Sequence, residues 1–459
     1  MFRWLMTFSI ITLLSACSPA TPGLGRETSA LNRYEKSMAR SNTGKALPRD
    51  ASLGQLLDFA VMRSPVLRAQ YHLVMAQRAR VGFAGPLPNP KVSYSWYAIP
   101  VETRDGPQRH RVTVSQQIPW PGKRTTARNA EALWVRTQVA RLESLKSALL
   151  FEVKRSYFRL WYTGRRIRLE EDYLKTLRLM EQVAAGRLAA AKGGVLRVLR
   201  TRLERQLVRT GISRLREQGA VERARLAGAL GVDRVHIAWP KALPLTREQL
   251  VKARLREQLL AASPLLNEET RRLMAQQAKV AQAKTAGLPD FSVGVAYIET
   301  GTTDLPGAVS SGRDPIMITF GISVPLWRSR ERARVTEGQA RVDYLRSRRE
   351  ALRIKLSSAF NTAWERLMST RAQLVAYDSR VIPVARAAMK SALATFSAQG
   401  GTLQAALDVA RTLYRLERAR LSLLLSEGIL VAELERLTGI PLFAQTTTNR
   451  AHGAKGGAR

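Results

Sequence analysis

Few residues of this chain have the types and spacing that catalysis or metal binding requires. Its four histidines lie far apart, without the paired spacing of metal ligands, at His72, His110, His236 and His452. The sequence contains no Gly-x-Gly-x-x-Gly, no Gly-Lys-Ser/Thr loop and no serine nucleophile elbow. An acidic run at 170–172 lies in a helical pattern, where adjacent side chains point in different directions. We therefore predict no enzyme activity, no cofactor and no metal site.

The only cysteine, Cys17, follows a segment with the composition of an export signal. Arg3 precedes an apolar run at residues 4–14, which is too short to span a membrane and typical of a secretory signal peptide. Leu14-Ser15-Ala16-Cys17 resembles a bacterial lipobox, in which the cysteine is acylated and becomes the first residue of the mature chain. An ordinary signal peptide with an incidental cysteine is the alternative. We predict a signal peptide at 1–16 and a lipidated tether at 17–50, with Ser18 indicating outer-membrane delivery.

The charge balance is strongly basic, with 74 Lys and Arg against 36 Asp and Glu and a formal charge of +38. Such a balance is typical of proteins that bind nucleic acid or an anionic surface. Here the arginines are spread along helical patterns from residue 124 to residue 420, without a dense cluster or a nucleic-acid-binding motif. We therefore predict a solvated, arginine-rich surface and no nucleic-acid partner.

Residues 315–325 alternate at a period of two between an apolar face and a smaller, more polar face. This alternation predicts a β-strand. Similar alternation predicts strands at about 91–99, 110–118 and 290–299, in a chain that is otherwise helical. Strands of about 9–11 residues have the length that crosses a bilayer in a tilted barrel. A soluble β-hairpin packed on helices is the alternative interpretation.

Long helical patterns surround these strands and occur twice in the same order. A helix of about 65 residues is predicted to reach position 191, turn at Gly193-Gly194 and return to about Leu230, ended by Gly231. Ser263-Pro264 repeats Ser64-Pro65, and Gly400-Gly401 and Gly439 repeat the two later breaks. We predict two repeats of helix, strand, strand, long helix and helix, at 51–240 and 241–442, with a disordered tail at 443–459. Pro383 is expected to kink or split the second long helix.

With these features in place, the chain resembles the TolC-like family of bacterial outer-membrane efflux channels. The resemblance rests on the duplication, on Leu-Pro-Asn-Pro at 87–90, on Gln-Gln-Ile-Pro-Trp-Pro-Gly-Lys-Arg at 116–124 and on Leu-Thr-Gly at 437–439. It implies a homotrimer, a mainly α-helical tube across the periplasm and a small transmembrane β part in which the chains share a 12-stranded barrel. It also implies a periplasmic membrane-fusion adaptor and an inner-membrane pump of the RND type as partners. Independently, four strands are too few to close a barrel, and an open edge in lipid leaves backbone groups unsatisfied.

Two sets of residues are candidates for function, one on the strands and one at the helix–helix turns. The alternation places a lipid-facing set on one side of the strands, consisting of Val92, Tyr94, Trp96, Phe291, Val293, Val295, Ile318, Phe320 and Ile322. The resemblance implies a periplasmic tip that acts as a gate and docks the adaptor, consisting of Lys192, Gly193, Gly194, Arg197, Gln399, Gly400, Gly401, Thr402 and Asp408. Asp408 matches an acidic position near the constriction of the family. Lys192, Arg197 and Arg200 lie close by in the sequence and argue against an acidic, cation-selecting ring.

The sequence therefore predicts the outer-membrane channel of a tripartite efflux system, conducting substrate passively. Pro-Trp-Pro-Gly-Lys at 119–123 is similar to the heavy-metal (CzcC-like) branch and favours metal cations as substrates. Drug or organic-compound export, or a type I secretion duct of the same fold, is the alternative. A lipid-anchored helical periplasmic scaffold without a pore is the alternative from another class.

Overall fold

The structure, a computed structural model, describes residues 31–32, 34–36, 47–189, 195–244, 250–304, 306, 311–398 and 401–443. The predicted signal peptide, Cys17 and most of the predicted tail lie outside the described residues. So do five residues of the predicted tip, namely Lys192, Gly193, Gly194, Gln399 and Gly400.

The elements follow the predicted order twice. The first repeat contains α1 (Leu53–Arg63), α2 (Pro65–Ala84), β1 (Lys91–Val101), β2 (Gln108–Pro119), α3 (Lys123–Ala189) and α4 (Val195–Leu230). The second contains α5 (Lys252–Ala262), α6 (Pro264–Ala286), β3 (Asp290–Thr300), β4 (Ile316–Ser323), α7 (Arg328–Ala376), a π-helical turn (Tyr377–Val381), α8 (Ile382–Ser397) and α9 (Leu403–Thr438). The predicted fold class, mainly α with a small β part, is confirmed.

Helix boundaries have local causes in the sequence. At the start of α1, the Ser52 hydroxyl accepts a hydrogen bond from the Gln55 backbone N–H at 3.4 Å, and the Gln55 side chain accepts one from the Ser52 N–H at 2.8 Å. This reciprocal capping box satisfies two donors that a helix start leaves unpaired. Before Pro383, the chain widens into the π-helical turn, in which the Ile382 N–H reaches the carbonyl of Tyr377. The long helix is therefore split at the residue before the proline, because proline cannot donate a backbone hydrogen bond.

The two repeats end in the same contact. Gly231 and Gly439 follow α4 and α9 with φ angles of +69° and +76°, in the left-handed region that glycine adopts without strain. A Cβ atom at Gly231 would lie 2.9 Å from Cδ of Pro65. At Gly439 the equivalent distance, to Cδ of Pro264, would be 3.1 Å. In each repeat, the glycine that ends the long helices thus packs against the proline that joins the two short ones.

The four strands form one antiparallel sheet in the order β1-β2-β3-β4. β1 and β2 extend beyond the predicted 91–99 and 110–118, because Val101 pairs with Gln108 after an irregularity in the register. β4 is shorter than the predicted 315–325 and lies between Pro315 and Pro325. Neither proline can donate to the ladder, although the Pro315 carbonyl still accepts from the Ile298 N–H at 3.1 Å.

The described residues form two compact units, and these do not coincide with the sequence repeats. One unit contains residues 71–140 and 268–350, including the sheet and the adjoining helical segments. The other contains residues 141–267 and 351–443 together with α1. Each unit therefore draws residues from both repeats.

The second unit encloses an apolar core between its helices. Its largest fully buried side chains include Leu56, Phe158 and Phe360, which belong to one contiguous cluster. Trp239 fills a further gap, because a Cβ atom at Gly219 would lie 2.2 Å from its ring. The Arg223 guanidinium covers that ring at 4.2 Å from the centroid.

Candidate functional site: the sheet and the helix ends

The register joins apolar side chains into rows across all four strands. Val92, Val114, Val295 and Ile318 occupy one row, in which each residue lies opposite the next. Tyr94, Val112, Tyr297 and Ile316 form a second row two residues away. Since side chains two residues apart share a face of a strand, these rows lie on the same side of the sheet. One face of the sheet is therefore apolar along its whole width.

The side chains on this face are exposed to an unusual degree. Phe320 exposes 78% of its surface and Trp96 exposes 66%. The other predicted lipid-facing residues are exposed as well, with Val293 half-buried: Val92, Tyr94, Phe291, Val295, Ile318 and Ile322. A contiguous exposed apolar surface of this kind marks an interaction with a membrane or a partner.

The opposite face is smaller and more polar. Ser115, Gly294 and Thr319 lie side by side across three strands, and Gln117, Ser292 and Gly321 form the next row. A Cβ atom at Gly321 would lie 2.5 Å from the Ser292 hydroxyl oxygen, so a larger residue here would require the Ser292 side chain to rotate away. This face also contains the buried Ala296 and Ile298, and is therefore less uniformly polar than the alternation predicts.

The junctions between strand and helix differ between the repeats. After β2, the Lys123 ammonium and the Trp120 backbone N–H both donate to Asp290, at 2.7 and 3.1 Å. The Trp120 ring stacks on Phe291 with 5.4 Å between ring centroids. After β4, Leu326 and Trp327 are exposed at 76% and 79%. Sequence reasoning missed these two apolar residues, although they directly follow the strand.

The described tip residues lie at the starts of α4 and α9. Arg197 is exposed on the first turn of α4. Thr402 is the N-cap of α9, with its hydroxyl accepting from the Ala405 N–H at 3.2 Å. Gly401 packs closely against the end of α8, where a Cβ atom would lie 3.2 Å from the Phe396 backbone nitrogen. Gly401 and Thr402, which are adjacent in the sequence, thus lie directly before the first residue of α9.

Asp408 belongs to a network of polar side chains from α3, α4 and α9. Its carboxylate accepts from the Gln404 amide at 3.1 and 3.2 Å and lies 3.6 Å from the Arg411 guanidinium. Arg411 also donates to both oxygens of Glu204, at 2.8 and 3.2 Å. Sequence spacing indicates the pair of Asp408 and Arg411 on one helix, but the contact with Glu204 requires the packing of two helices.

Two tyrosines complete this network. Tyr173 donates to Glu204 at 3.1 Å and stacks on Tyr414 with 4.9 Å between ring centroids, and Tyr414 donates to Glu170. Burial raises the pKa of Tyr414 to about 12, and burial together with Glu204 raises the pKa of Tyr173. Both hydroxyls therefore stay neutral donors at physiological pH.

The described residues offer no grouping typical of metal chemistry. Among them, no three His, Cys, Asp or Glu side chains come together as metal ligands would. Within the same part of the chain, no helix combines the length and apolarity that crossing a membrane demands.

Two strands followed by paired long helices occur in each of the two repeats, and the four strands form one sheet. This is the fold of the TolC-like outer-membrane channels, and comparison with solved structures supports this assignment. The chain is similar to CusC, in a structure concerned with transmembrane channel formation (TM-score 0.70, 17% identity, covering 85% of this chain and 92% of that one). It is also similar to the outer-membrane protein VceC of Vibrio cholerae (0.69, 15%, 85% and 96%). A third similar structure is the outer-membrane channel OprN (0.66, 19%, 85% and 90%).

At this level of identity the likeness shows the fold. No family model matches the chain, and no curated protein matches it in sequence. The resemblance inferred from the short motifs and the duplication is therefore confirmed through three-dimensional structure, at the level of the TolC-like fold.

Proposed function

We propose that the chain is the outer-membrane channel of a tripartite export system. It would conduct substrate passively, without catalysis, from an inner-membrane pump and a periplasmic adaptor to the outside. The observation that carries this proposal is the sheet, whose apolar face is exposed along rows four strands wide. In a bilayer this face would contact lipid, and the polar face would line a water-filled lumen.

The two edges of the sheet support assembly from several copies. β1 and β4 are the outer strands, so each has one side that no strand of the same sheet covers. In lipid, uncovered backbone groups are costly, and pairing β4 of one copy with β1 of the next would satisfy them. Two copies would give eight strands, whose interior side chains fill. Three copies give the 12-stranded barrel that the resemblance implies and leave room for a channel.

In this proposal the sheet spans the membrane, and the helix ends gate the channel and contact the adaptor. Arg197, Thr402 and Asp408 lie at the starts of the helices that adjoin the tip. We assign this end to gating and to docking of the adaptor, and the pump supplies the energy. A lipid on Cys17 would add an anchor in the outer membrane.

The substrate class follows less directly from these features. The similarity of residues 119–123 to the heavy-metal branch favours metal cations. Lys123 within this motif binds Asp290 at 2.7 Å and thus stabilises the strand-to-helix junction. Organic compounds and secreted polypeptides remain the alternative substrates for the same duct.

Conductance of the purified protein tests the proposal. Protein extracted from membranes in detergent should run as a heat-modifiable trimer and form discrete channels in planar bilayers. A Cys17→Ser variant should lose incorporation of labelled palmitate yet keep the trimer, because the sheet forms the barrel without the lipid. A delipidated monomer that stays soluble without detergent and forms no channels would instead favour the lipid-anchored scaffold.

A further inference from the structure

We infer that the helix ends favour anions over metal cations, so that the channel serves anionic solutes such as organic acids or negatively charged metal complexes. This departs from the metal-cation substrates that the motif at residues 119–123 favours. This inference rests on the proposed channel function and concerns its substrate class. Here "helix ends" means the first turns of α4 and α9 together with the last described turns of α3.

The start of α4 carries a strong excess of positive charge. Glu204 is the one carboxylate among residues 195–209, and the same segment contains five arginines, namely Arg197, Arg200, Arg202, Arg205 and Arg209. Glu204 itself accepts two hydrogen bonds from Arg411 of α9. Its negative charge is therefore compensated within the protein, because an opposite charge in contact cancels most of the potential at a distance.

Asp408 shares Arg411 with Glu204, so this one arginine offsets only one of the two carboxylates. The region still has a net positive charge, because Arg411 and the five arginines of α4 outnumber Glu181, Glu204 and Asp408. The Gln404 amide and the Arg411 guanidinium both face its carboxylate, at 3.1 and 3.6 Å. Arg200 in turn donates to the oxygen of Gln404 at 3.0 Å, which orients the amide N–H groups toward Asp408. The acid that matches the family's constriction position is thus held among donors and is poorly suited to form a cation-binding ring.

Glu181 of α3 is also paired with arginines of α4. It accepts from Arg202 at 2.9 Å and forms a second ion pair with Arg205. Within the part of the chain that the structure describes, Arg197 and Arg200 have no carboxylate at ion-pair distance. Each copy therefore presents two exposed arginines whose charge is not cancelled locally.

Assembly would multiply this excess. Rings of arginine or lysine are the arrangement that anion-selective pores use. At physiological ionic strength a charge acts over roughly 8 Å, so the effect is largest where the opening is narrow. A divalent metal cation would be repelled twice as strongly as a monovalent one, since the interaction scales with its charge.

The polar face of the sheet has the same sign. Lys91 and Arg111 lie on this face, in register with Ser115 and Ser95. Its carboxylate, Asp290, forms an ion pair with Lys123 at 2.7 Å. A lumen formed by this face would also favour anions, and this observation is independent of the helix ends.

Reversal potentials in planar bilayers test the inference. With the full-length trimer in a KCl gradient, chloride should permeate better than potassium, and in a ZnCl₂ gradient zinc should carry little of the current. The double variant Arg197→Glu/Arg200→Glu should invert the preference between chloride and potassium. The double variant Arg254→Glu/Arg256→Glu, which makes the same change in charge at two exposed sites on α5, should leave the preference unchanged.

The outcomes separate the two proposals. A wild-type channel that prefers potassium or zinc overturns the inference and leaves the channel function intact. Anion preference that survives in the Arg197→Glu/Arg200→Glu variant overturns the assignment to the helix ends. A detergent-stable trimer without any conductance overturns the proposed function itself, and the inference with it.

Discussion

The strands and the helices of this chain place their apolar side chains in opposite environments. Phe320 of β4 exposes 78% of its surface, whereas Phe360 of α7 is completely buried in the core of the second unit. The helices thus enclose an apolar core of their own, as proteins in water do. The sheet has an apolar face that the described residues of its own chain leave uncovered, and in the proposed channel lipid covers this face.

The free energy gained by removing apolar side chains from water shows why this difference matters. Burying one large apolar side chain contributes about 1.5–3 kcal/mol, and the exposed face of the sheet holds such side chains in consecutive rows. Leaving them all in water would forgo that stabilisation at every position. Contact with lipid would recover it without any change in the sheet.

The largest expected effect is on membrane assembly. Phe320→Asp places a carboxylate on the apolar face, at a cost that depends on depth and is below the roughly 2–4 kcal/mol of an Arg or Lys at the bilayer midplane. We expect this variant to fail to form trimers in the outer membrane. Thr319→Asp places the same group on the polar face and should assemble normally with altered conductance. Heat-modifiable gel mobility and bilayer conductance measure the two effects, and equal behaviour of the two variants would contradict the proposed faces.

The next largest effect concerns the helical core. Phe360→Ala should lower the free energy of unfolding by about 3–5 kcal/mol, because a buried aromatic ring leaves a cavity. Thermal unfolding followed by helical circular dichroism measures the change. Channels that do form should retain wild-type conductance, since the residue belongs to the core. Val384→Ala, at an exposed position on α8, is the matched control and should change stability little.

A buried ion pair joins α3 to α9, and removing one of its two residues should strongly lower the free energy of unfolding. Lys154 and Glu435 lie 2.5 Å apart, and the Lys154 ammonium also lies 4.9 Å from the centre of the Phe443 ring. Burial lowers the pKa of Lys154 and raises that of Glu435, in each case against the attraction of the partner. Glu435→Ala should therefore cost about 3–5 kcal/mol, because it leaves a buried charge without its partner.

The double variant Lys154→Met/Glu435→Leu is the test of that cause. Apolar residues of similar size often replace a buried ion pair at little cost, so this variant should be more stable than Glu435→Ala. If the double variant were the less stable of the two, the destabilisation would come from lost packing instead of an unpaired charge.

The smallest expected effect is a pH dependence at Glu131 of α3. Burial alone would raise its pKa, but hydrogen bonds from Lys279 and Gln77, at 2.6 and 2.5 Å, lower it below the ordinary value of 4.5. Between the lowered pKa and 4.5 the unfolded chain binds more protons than the folded chain. The stabilisation is therefore complete above pH 4.5 and is lost as the pH falls through the folded-state pKa.

Glu131→Gln should remove that dependence and lower stability at neutral pH by less than about 1 kcal/mol, as for a partly exposed ion pair. Melting temperatures of the two proteins should converge as the pH falls below 4.5. A difference that stayed constant down to acidic pH would show that the ionisation of Glu131 does not stabilise the fold.

Local and periodic features made much of the fold predictable. Alternation at a period of two identifies which side of each strand carries Phe320 or Thr319, and the register joins these sides across the sheet. Ser52, Gly231 and Gly439 mark helix ends because capping and positive φ angles depend on a few neighbouring residues. The duplication could be recognised from the sequence because both repeats contain these signals in the same order.

Contacts between distant segments were not predictable in this way. The packing of Gly231 on Pro65, and the insertion of Trp239 beside Gly219, depend on how helices approach each other. The ion pair between Glu204 and Arg411 likewise joins α4 to α9. Arginines recur along every long helix, so spacing alone does not distinguish those that neutralise a carboxylate from those that remain exposed.

A cysteine scan across β4 tests the central claim, that this sheet crosses the membrane with one face toward lipid. Single cysteines at positions 316–323, introduced into the full-length protein and reconstituted in liposomes, would be treated with a hydrophilic maleimide, with wild-type Cys17 as the background control. The account predicts strong labelling at Met317, Thr319, Gly321 and Ser323 and protection at Ile316, Ile318, Phe320 and Ile322. Uniform labelling along the strand would contradict it.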